Sequence, residues 1–256
     1  MAKSNLFKRT VTALILAPVV IGCIFLEFPY YNLLVLVAGA MVSWEWSNMC
    51  SKEKSAIYAT IYTISMATAV LLQSWFGIFL MSVLCMLAVL VKARKEDHKW
   101  LLLLGVPYIS LGIGSLMWLM IVSSPITVLW LLLVVWGVDI GGYFVGTSIR
   151  GPKLAPKISP NKTWAGLFGG MMFAAAISGS YAYGIGWEEY TTITIIAIIL
   201  AVAEQIGDLI ESAIKRRVGV KDSGDIIPGH GGVFDRIDGL IFTAPLLFMF
   251  IYIFSF

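Results

Sequence analysis

Charged residues are scarce in this chain: they make up 13% of its 256 positions, against 59% for hydrophobic residues. The mean hydropathy of +0.88 is too high for a single water-soluble core. The only histidines are His98 and His230, and no cysteine lies near either of them, which argues against a zinc site. The three cysteines lack disulfide spacing. No basic stripe with interleaved aromatic residues lies outside the apolar runs, so nucleic acid is not an expected partner.

Long apolar runs fill most of the sequence instead. An α-helix needs about 20 apolar residues to cross roughly 30 Å of hydrocarbon, and nine runs come close to that length. They cover residues 11–28, 31–50, 56–72, 75–91, 100–122, 125–146, 164–186, 191–211 and 239–256. The sequence therefore predicts an all-α, polytopic integral membrane helical bundle with about nine transmembrane helices.

The positive charges indicate an orientation. All 18 Lys and Arg residues fall in alternate segments between the apolar runs, beginning with the N-terminus. The intervening turns, near 28–31, 73–75, 123–125 and 187–190, contain none. Because short cytoplasmic loops retain positive charge, we expect a cytoplasmic N-terminus and an external C-terminus. This one-sided charge also suits the anionic cytoplasmic leaflet of a lipid bilayer.

Polarity is distributed unevenly along the chain. No repeat or low-complexity linker divides residues 1–256, so we expect one membrane domain. Its first five apolar runs hold one clearly intramembrane acid, Glu45, whereas the later part holds Asp139, Glu204, Asp208 and Glu211. An ionised acid at mid-bilayer costs about 2.5 to 3.5 kcal/mol. We therefore interpret 1–130 as scaffold helices and 131–256 as catalytic helices with cytoplasmic loops.

The eighth apolar run carries a polar face. Helical spacing places five side chains together there: Glu204, Asp208, Glu211, Ser212 and Lys215. For Asp208, the cost of burying an unpaired carboxylate favours a functional role. For Glu211, solvation at a helix end explains the residue equally well.

Two further acids begin the last run. Asp235 and Asp238 are three positions apart, so a helix would point both carboxylates the same way. Together with Asp208 they predict hard oxygen ligands for Mg²⁺. Capping of a helix N-terminus by acids would account for only one of the two.

Two predicted cytoplasmic loops, 147–163 and 212–238, combine cations with proline or glycine. Lys215, Arg216 and Lys221 are suited to a polyphosphate. Glycines at 219, 224, 229, 231 and 232 would let backbone N–H groups approach phosphate oxygens. His230 lies between glycines, where we expect it to face a substrate.

The stretch from Ser212 to Asp238 reads S-x-x-K-R-x-x-x-x-K-D-x-G-x-x-I-P-x-H-G-G-V-x-D-R-I-D. It resembles the signature of the phosphatidate cytidylyltransferase family, also called CDP-diacylglycerol synthases. Blocks that begin at Asp139, Lys153 and Gly207 are similar to further family blocks in the expected order. Ala165 departs from the pattern, because family members often carry Glu there.

The resemblance implies Mg²⁺-dependent transfer of a cytidylyl group from CTP to phosphatidic acid, in phospholipid biosynthesis. It is also compatible with a second bound cation and with a homodimer. It implies an active site on the cytoplasmic side of a bacterial inner membrane. The metal would be held by Asp208, Asp235 and Asp238, and these acids with Lys215 and His230 form the predicted catalytic set. The predicted substrate-binding residues are Ser212, Arg216, Lys221, Asp222, Lys153, Lys157, Ser159, Asn161, Lys162 and Asp139.

Two other functions remain open at this point. A CTP-dependent polyprenol-type lipid kinase would transfer the γ-phosphoryl group and release CDP. A cation-coupled membrane transporter would place its acids near mid-bilayer on paired broken helices. The acids of this chain cluster instead at the inner ends of helices beside polar loops, which favours an enzyme.

Overall fold

The computed structural model describes residues 2–71, 75–227, 229 and 231–254, without the side chains of 2–10, 69–70 and 75–78. His230, predicted to face a substrate, lies outside the described residues.

Within these ranges the chain forms nine α-helices and one pair of short strands. In chain order they are α1 (Ala2–Leu26), α2 (Tyr30–Cys50), α3 (Ser55–Leu71), α4 (Trp75–Lys92), α5 (Lys99–Val122), α6 (Pro125–Ile149), β1 (Lys153–Ala155), β2 (Ser159–Thr163), α7 (Trp164–Ile185), α8 (Tyr190–Arg217) and α9 (Phe234–Phe254). Each helix coincides with one predicted apolar run. The prediction of a helical membrane fold is confirmed.

Six of these helices are long and apolar enough to cross a membrane: α2, α5, α6, α7, α8 and α9. Shorter apolar segments, Val11–Leu26 and Phe79–Lys92, lie within α1 and α4. The count of nine spans and the orientation of the two termini stay predictions.

A short hairpin occupies the loop between α6 and α7. Strands β1 and β2 pair antiparallel, with Lys153 opposite Thr163 and Ala155 opposite Ser159. Thr163 then caps α7: its extended backbone places Oγ1 to accept a 3.0 Å hydrogen bond from the Gly166 N–H, the usual role of an N-cap threonine. The hairpin therefore gives Lys162 a fixed position next to the start of α7.

The helices and loops divide into two compact units, each built from two separate stretches of chain. Unit 1 comprises Met1–Pro125 and Ile214–Ile237, and unit 2 comprises Ile126–Ala213 and Asp238–Phe256. The sequence assigned all of 131–256 to one catalytic half, whereas residues 214–237 group with the N-terminal helices. The expectation of a single domain stays a prediction.

In the core of unit 1, aromatic side chains of α2 and α3 donate hydrogen bonds to backbone carbonyls of α5. Trp46 Nε1 donates a 3.1 Å hydrogen bond to the carbonyl of Leu101, and the Tyr62 hydroxyl donates one of 2.7 Å to the carbonyl of Leu102. Gly105 permits this close approach, since a Cβ there would lie 2.6 Å from Trp46 Nε1. Buried hydrogen bonds of this kind fit a protein surrounded by lipid.

In unit 2, glycines bring α6 and α7 into backbone contact. A Cβ on Gly141 would lie 2.6 Å from the Gly169 carbonyl oxygen, and one on Gly169 would lie 2.4 Å from Val145 Cβ. Small residues allow helices in a membrane to approach this closely. Asp139 on α6 is thereby fixed relative to α7.

Candidate active site

A cluster of three carboxylates lies in unit 2 where α8 and α9 meet. Asp208 and Glu211 on α8 and Asp238 on α9 place one oxygen each within 4.8 Å of one another. Gly207 makes this possible, because a Cβ there would lie 2.7 Å from Phe242 Cβ and 3.3 Å from the Asp238 carbonyl oxygen. The two helices can therefore approach closely enough to combine their acids.

The cluster fits a hard divalent cation. Its three donors are carboxylates, without sulfur or imidazole, and such oxygens are the ligands that Mg²⁺ prefers. The structure brings Asp208 and Asp238 together, and the third acid of the cluster is Glu211. Glu211 is 1% exposed, so solvation at a helix end does not explain this residue.

Lys162 reaches the acidic cluster from the hairpin. Its Nζ forms an ion pair with Asp208 Oδ2 and donates a 3.2 Å hydrogen bond to Gln205 Oε1. The Ser212 hydroxyl donates to the other oxygen, Asp208 Oδ1, at 3.2 Å. The structure thus places three predicted site residues, Asp208, Ser212 and Lys162, in one hydrogen-bonded group.

A further acid, Glu204, lies one turn before Asp208. Glu204 is 2% exposed, and Oε2 accepts a 2.8 Å hydrogen bond from Gln205 Nε2. Asp139 on α6 interacts electrostatically with Glu204 and with Asp238, although its own side chain is exposed. Acidic side chains of unit 2 therefore lie close together, and Lys162 forms an ion pair with one of them, Asp208.

The remaining hairpin residues are more accessible. Lys153, Lys157 and Asn161 are exposed, and Ser159 is half-buried. No hydrogen bond from their side chains to the acidic cluster is recorded among the described residues, so their substrate-binding roles stay predictions.

Asp235 is held within unit 1 by a lysine and by two backbone groups. Lys215 Nζ donates to Oδ1 at 2.9 Å, and the two side chains are 11% and 5% exposed. The Ser223 N–H lies 3.1 Å from both carboxylate oxygens, and the Gly232 N–H donates to Oδ2 at 2.8 Å. Asp235 therefore neutralises Lys215 and holds Ser223 and Gly232 in place. Its predicted role as a metal ligand stays a prediction.

Glycine is required at one point of this arrangement. Gly231 has φ +84°, and a Cβ there would lie 2.7 Å from Asp235 Oδ2. Further out, Arg216, Lys221 and Asp222 are exposed. The Arg216 guanidinium donates a 3.3 Å hydrogen bond to the carbonyl of Val220, which orders the start of the loop.

Glu45 on α2 binds the same part of the chain as Asp235, at Ser223 and at the residues that lead into α9. Its carboxylate is 2% exposed. Oε1 accepts from the Val233 N–H at 2.8 Å, and Oε2 accepts from the Phe234 N–H at 2.8 Å and from the Ser223 hydroxyl at 3.0 Å. A Cβ on Gly232 would lie 2.5 Å from Oε2, so this glycine makes room for a carboxylate of the protein itself.

The sequence profile of the Cytidylyltransferase family matches residues 7–254. This chain belongs to the cytidylyltransferase family. A phosphatidate cytidylyltransferase of Brucella suis is 33% identical over 264 residues, which cover 98% of this chain and 95% of that protein. Proteins of the same name from Rickettsia bellii and Pseudomonas aeruginosa are 34% and 31% identical over 258 residues each, covering 96% and 93% of this chain and 90% and 94% of their own lengths.

Membership of the cytidylyltransferase family confirms the resemblance seen in residues 212–238 and extends it to the N-terminal helices. Sequence reasoning missed two residues of the site region. Glu211 fits the helical spacing but could not be separated from a solvated helix end. Glu45 was visible as the one clearly intramembrane acid of the first five apolar runs, which indicated a role for it but did not identify its partners.

Proposed function

We propose that this protein transfers the cytidylyl group of CTP to phosphatidic acid and so forms CDP-diacylglycerol and pyrophosphate in phospholipid biosynthesis. One observation carries the proposal: the cluster of Asp208, Glu211 and Asp238 beside Lys162. It lies in a chain whose relatives along nearly their whole length are named phosphatidate cytidylyltransferase.

Asp208, Glu211 and Asp238 are the residues that would hold Mg²⁺. Their carboxylates supply three hard oxygen donors within 4.8 Å of one another. A divalent cation bound there supplies charge neutralisation and polarisation of a phosphoryl oxygen. We propose that Asp139 and Glu204 add to the negative potential that would retain a second cation nearby.

The reaction needs no nucleophile from the protein, because the phosphate of phosphatidic acid is already ionised at neutral pH. One of its oxygens attacks the α-phosphorus of CTP and forms a new P–O bond. The P–O bond between the α-phosphorus and the bridging oxygen breaks, and pyrophosphate leaves with the electron pair. The contribution of the protein is to position two anions in line.

The cations of the chain would bind those anions. Lys162 is held at Asp208 and Gln205, where its ammonium can donate to a phosphate oxygen, and Ser212 would orient an oxygen in the same way. Lys215, Arg216 and Lys221 would hold the triphosphate, Lys215 being fixed for this by Asp235. We propose that Asp222 and His230 also contact substrate. We further propose that four residues of the hairpin region bind lipid phosphate or nucleotide: Lys153, Lys157, Ser159 and Asn161.

We place this chemistry on the cytoplasmic side of a bacterial inner membrane. CTP is a cytosolic nucleotide, and all 18 Lys and Arg residues belong to segments predicted to face the cytoplasm. The relatives that match nearly the whole of this chain are proteins of Brucella, Rickettsia and Pseudomonas, which are bacteria. Phosphatidic acid would enter from the surrounding leaflet.

Release of pyrophosphate by the purified protein in detergent tests the proposal. We expect release to require CTP, phosphatidic acid and a divalent cation together, and to stop when any one of them is omitted. Release without the lipid would indicate simple hydrolysis of CTP and would contradict the proposal.

A further inference from the structure

The carboxylate of Glu45 has all its described hydrogen bonds with one segment of chain far away in sequence. Its three donors, Ser223 Oγ, Val233 N–H and Phe234 N–H, are 178, 188 and 189 positions away. An ionised Glu45 carboxylate can only accept hydrogen bonds, and each of these three groups donates one to it. Glu45 therefore binds the segment 223–234 at both of its ends.

Two of these donors lie at the beginning of α9. The first N–H groups of a helix have no partner within the helix, and the positive end of the helix dipole attracts anions there. A phosphate could bind at the N-terminus of such a helix, and the glycines of 212–238 predicted a phosphate site in this segment. In the structure, Glu45 accepts the hydrogen bonds of Val233 and Phe234.

The surroundings of Glu45 are shaped to keep this carboxylate in position. A Cβ on Gly224 would lie 3.0 Å from Oε1, and one on Gly232 would lie 2.5 Å from Oε2. The ring of Phe234 packs edge-on against Trp46 with ring centroids 5.5 Å apart, and Tyr108 stacks on Trp46 at 5.3 Å. Hydrogen bonds in such an enclosed, apolar setting are stronger than in water.

The same segment connects Glu45 to Lys215. Ser223 donates its hydroxyl to Glu45 and its backbone N–H to Asp235, and Asp235 accepts from Lys215 Nζ. The Gly232 N–H donates to Asp235, and the N–H of the next residue, Val233, donates to Glu45. A displacement of Ser223 or Gly232 would therefore move the carboxylate that orients Lys215.

We infer that Glu45 is a positioning residue: its carboxylate fixes Ser223, Val233 and Phe234 and, through Ser223 and Asp235, the orientation of Lys215 toward the triphosphate of the nucleotide. This inference rests on the proposed function, which assigns Lys215 to CTP. Glu45 itself contacts no substrate.

The test compares Glu45→Gln with the wild type in detergent. Glutamine keeps the shape but loses the charge and turns one acceptor into an NH₂ group that faces N–H donors. Since hydrogen bonds to charged groups matter most, we expect the KM for CTP to rise about tenfold while the KM for phosphatidic acid stays within about twofold. Hydrogen exchange should accelerate in 223–234 and stay unchanged in α3.

Ser43→Ala is the matched control, because this buried hydroxyl on the same helix donates to the Gly39 carbonyl of that helix. This variant should leave both KM values unchanged. If Glu45→Gln does not fold, Ser223→Ala removes one of the three donors and should raise the KM for CTP alone by a smaller factor.

A loss of Vmax with an unchanged KM for CTP would reflect fewer folded molecules and would overturn the inference. A wild type without cytidylyl transfer would refute the proposed function instead, while the hydrogen-exchange comparison would still decide whether Glu45 fixes the segment.

Discussion

Lys215 Nζ and Asp235 Oδ1 lie 2.9 Å apart, in side chains that are 11% and 5% exposed. A cation and an anion this well buried depend on each other, because removal of one leaves the other without compensation. This ion pair therefore connects Lys215, which we propose binds CTP, to Ser223 and Gly232, whose N–H groups bind Asp235.

The first prediction concerns Asp235→Asn. Asparagine keeps the size of the side chain but leaves the Lys215 ammonium uncompensated, so we expect activity to fall by about two orders of magnitude or more. Cytidylyl transfer by membrane-inserted, monodisperse protein measures the effect, and Asp97→Asn on the exposed α4–α5 loop is the control. Turnover near the wild-type rate would show that the pair has no part in the reaction.

The second prediction separates two candidates for the third metal ligand. Glu211 belongs to the acidic cluster, whereas Asp235 accepts from Lys215 and two backbone N–H groups. We expect Glu211→Gln to weaken Mn²⁺ binding about tenfold or more, and Asp235→Asn to change it less than about twofold.

Paramagnetic resonance of Mn²⁺ titrated into the purified protein gives these affinities without reference to activity. Glu189→Gln, an exposed acid outside the cluster, controls for the loss of one negative charge. If Asp235→Asn weakened Mn²⁺ binding and Glu211→Gln did not, the ligand set predicted from sequence would be right and the one proposed from the structure wrong.

The third prediction concerns Lys162→Met, which removes the ammonium that pairs with Asp208. Because a donor to a phosphate oxygen is lost, we expect kcat/KM to fall by about tenfold to a hundredfold. The affinity for Mn²⁺ should not fall, since Nζ competes with a cation for the Asp208 carboxylate. A decrease in Mn²⁺ affinity together with activity would mean that Lys162 supports the fold of the cluster and not the substrate.

The fourth prediction concerns orientation in the membrane. An odd number of spans with a cytoplasmic N-terminus requires an external C-terminus, as the distribution of Lys and Arg indicates. Alkaline phosphatase, which is active only outside the cytoplasm, should be active when fused after Phe256. A fluorescent protein that folds in the cytoplasm should be bright before Met1. A C-terminal fusion that is inactive although expressed would reduce the count to an even number.

The helices could be predicted from the sequence, and so could the position of Asp208 on the polar face of α8 and of Asp238 near the start of α9, because both depend on local spacing. Apolar runs of membrane length specify each helix, and helical spacing aligns the acids on each element. Gly207 next to Asp208 would in addition let another helix or a ligand come close. These features need no knowledge of distant contacts.

The partners of individual carboxylates could not be predicted in the same way. Glu45 contacts residues 178 to 189 positions later, and nothing in its own neighbourhood identifies them. The glycines of the 212–238 segment suggested phosphate binding, yet Gly224 and Gly232 lie against Glu45. The burial of Glu211 likewise depends on how α8 and α9 pack, which the pattern of a single helix does not contain.

The most direct test of the central claim follows the phosphorus atoms of CTP. The purified protein is incubated with phosphatidic acid and Mg²⁺, and with CTP labelled at the α-phosphorus or at the γ-phosphorus in parallel. We expect the α label to appear in the lipid and the γ label in pyrophosphate. A γ label in the lipid with release of CDP would identify a lipid kinase, and either that result or a lipid without label would contradict cytidylyl transfer.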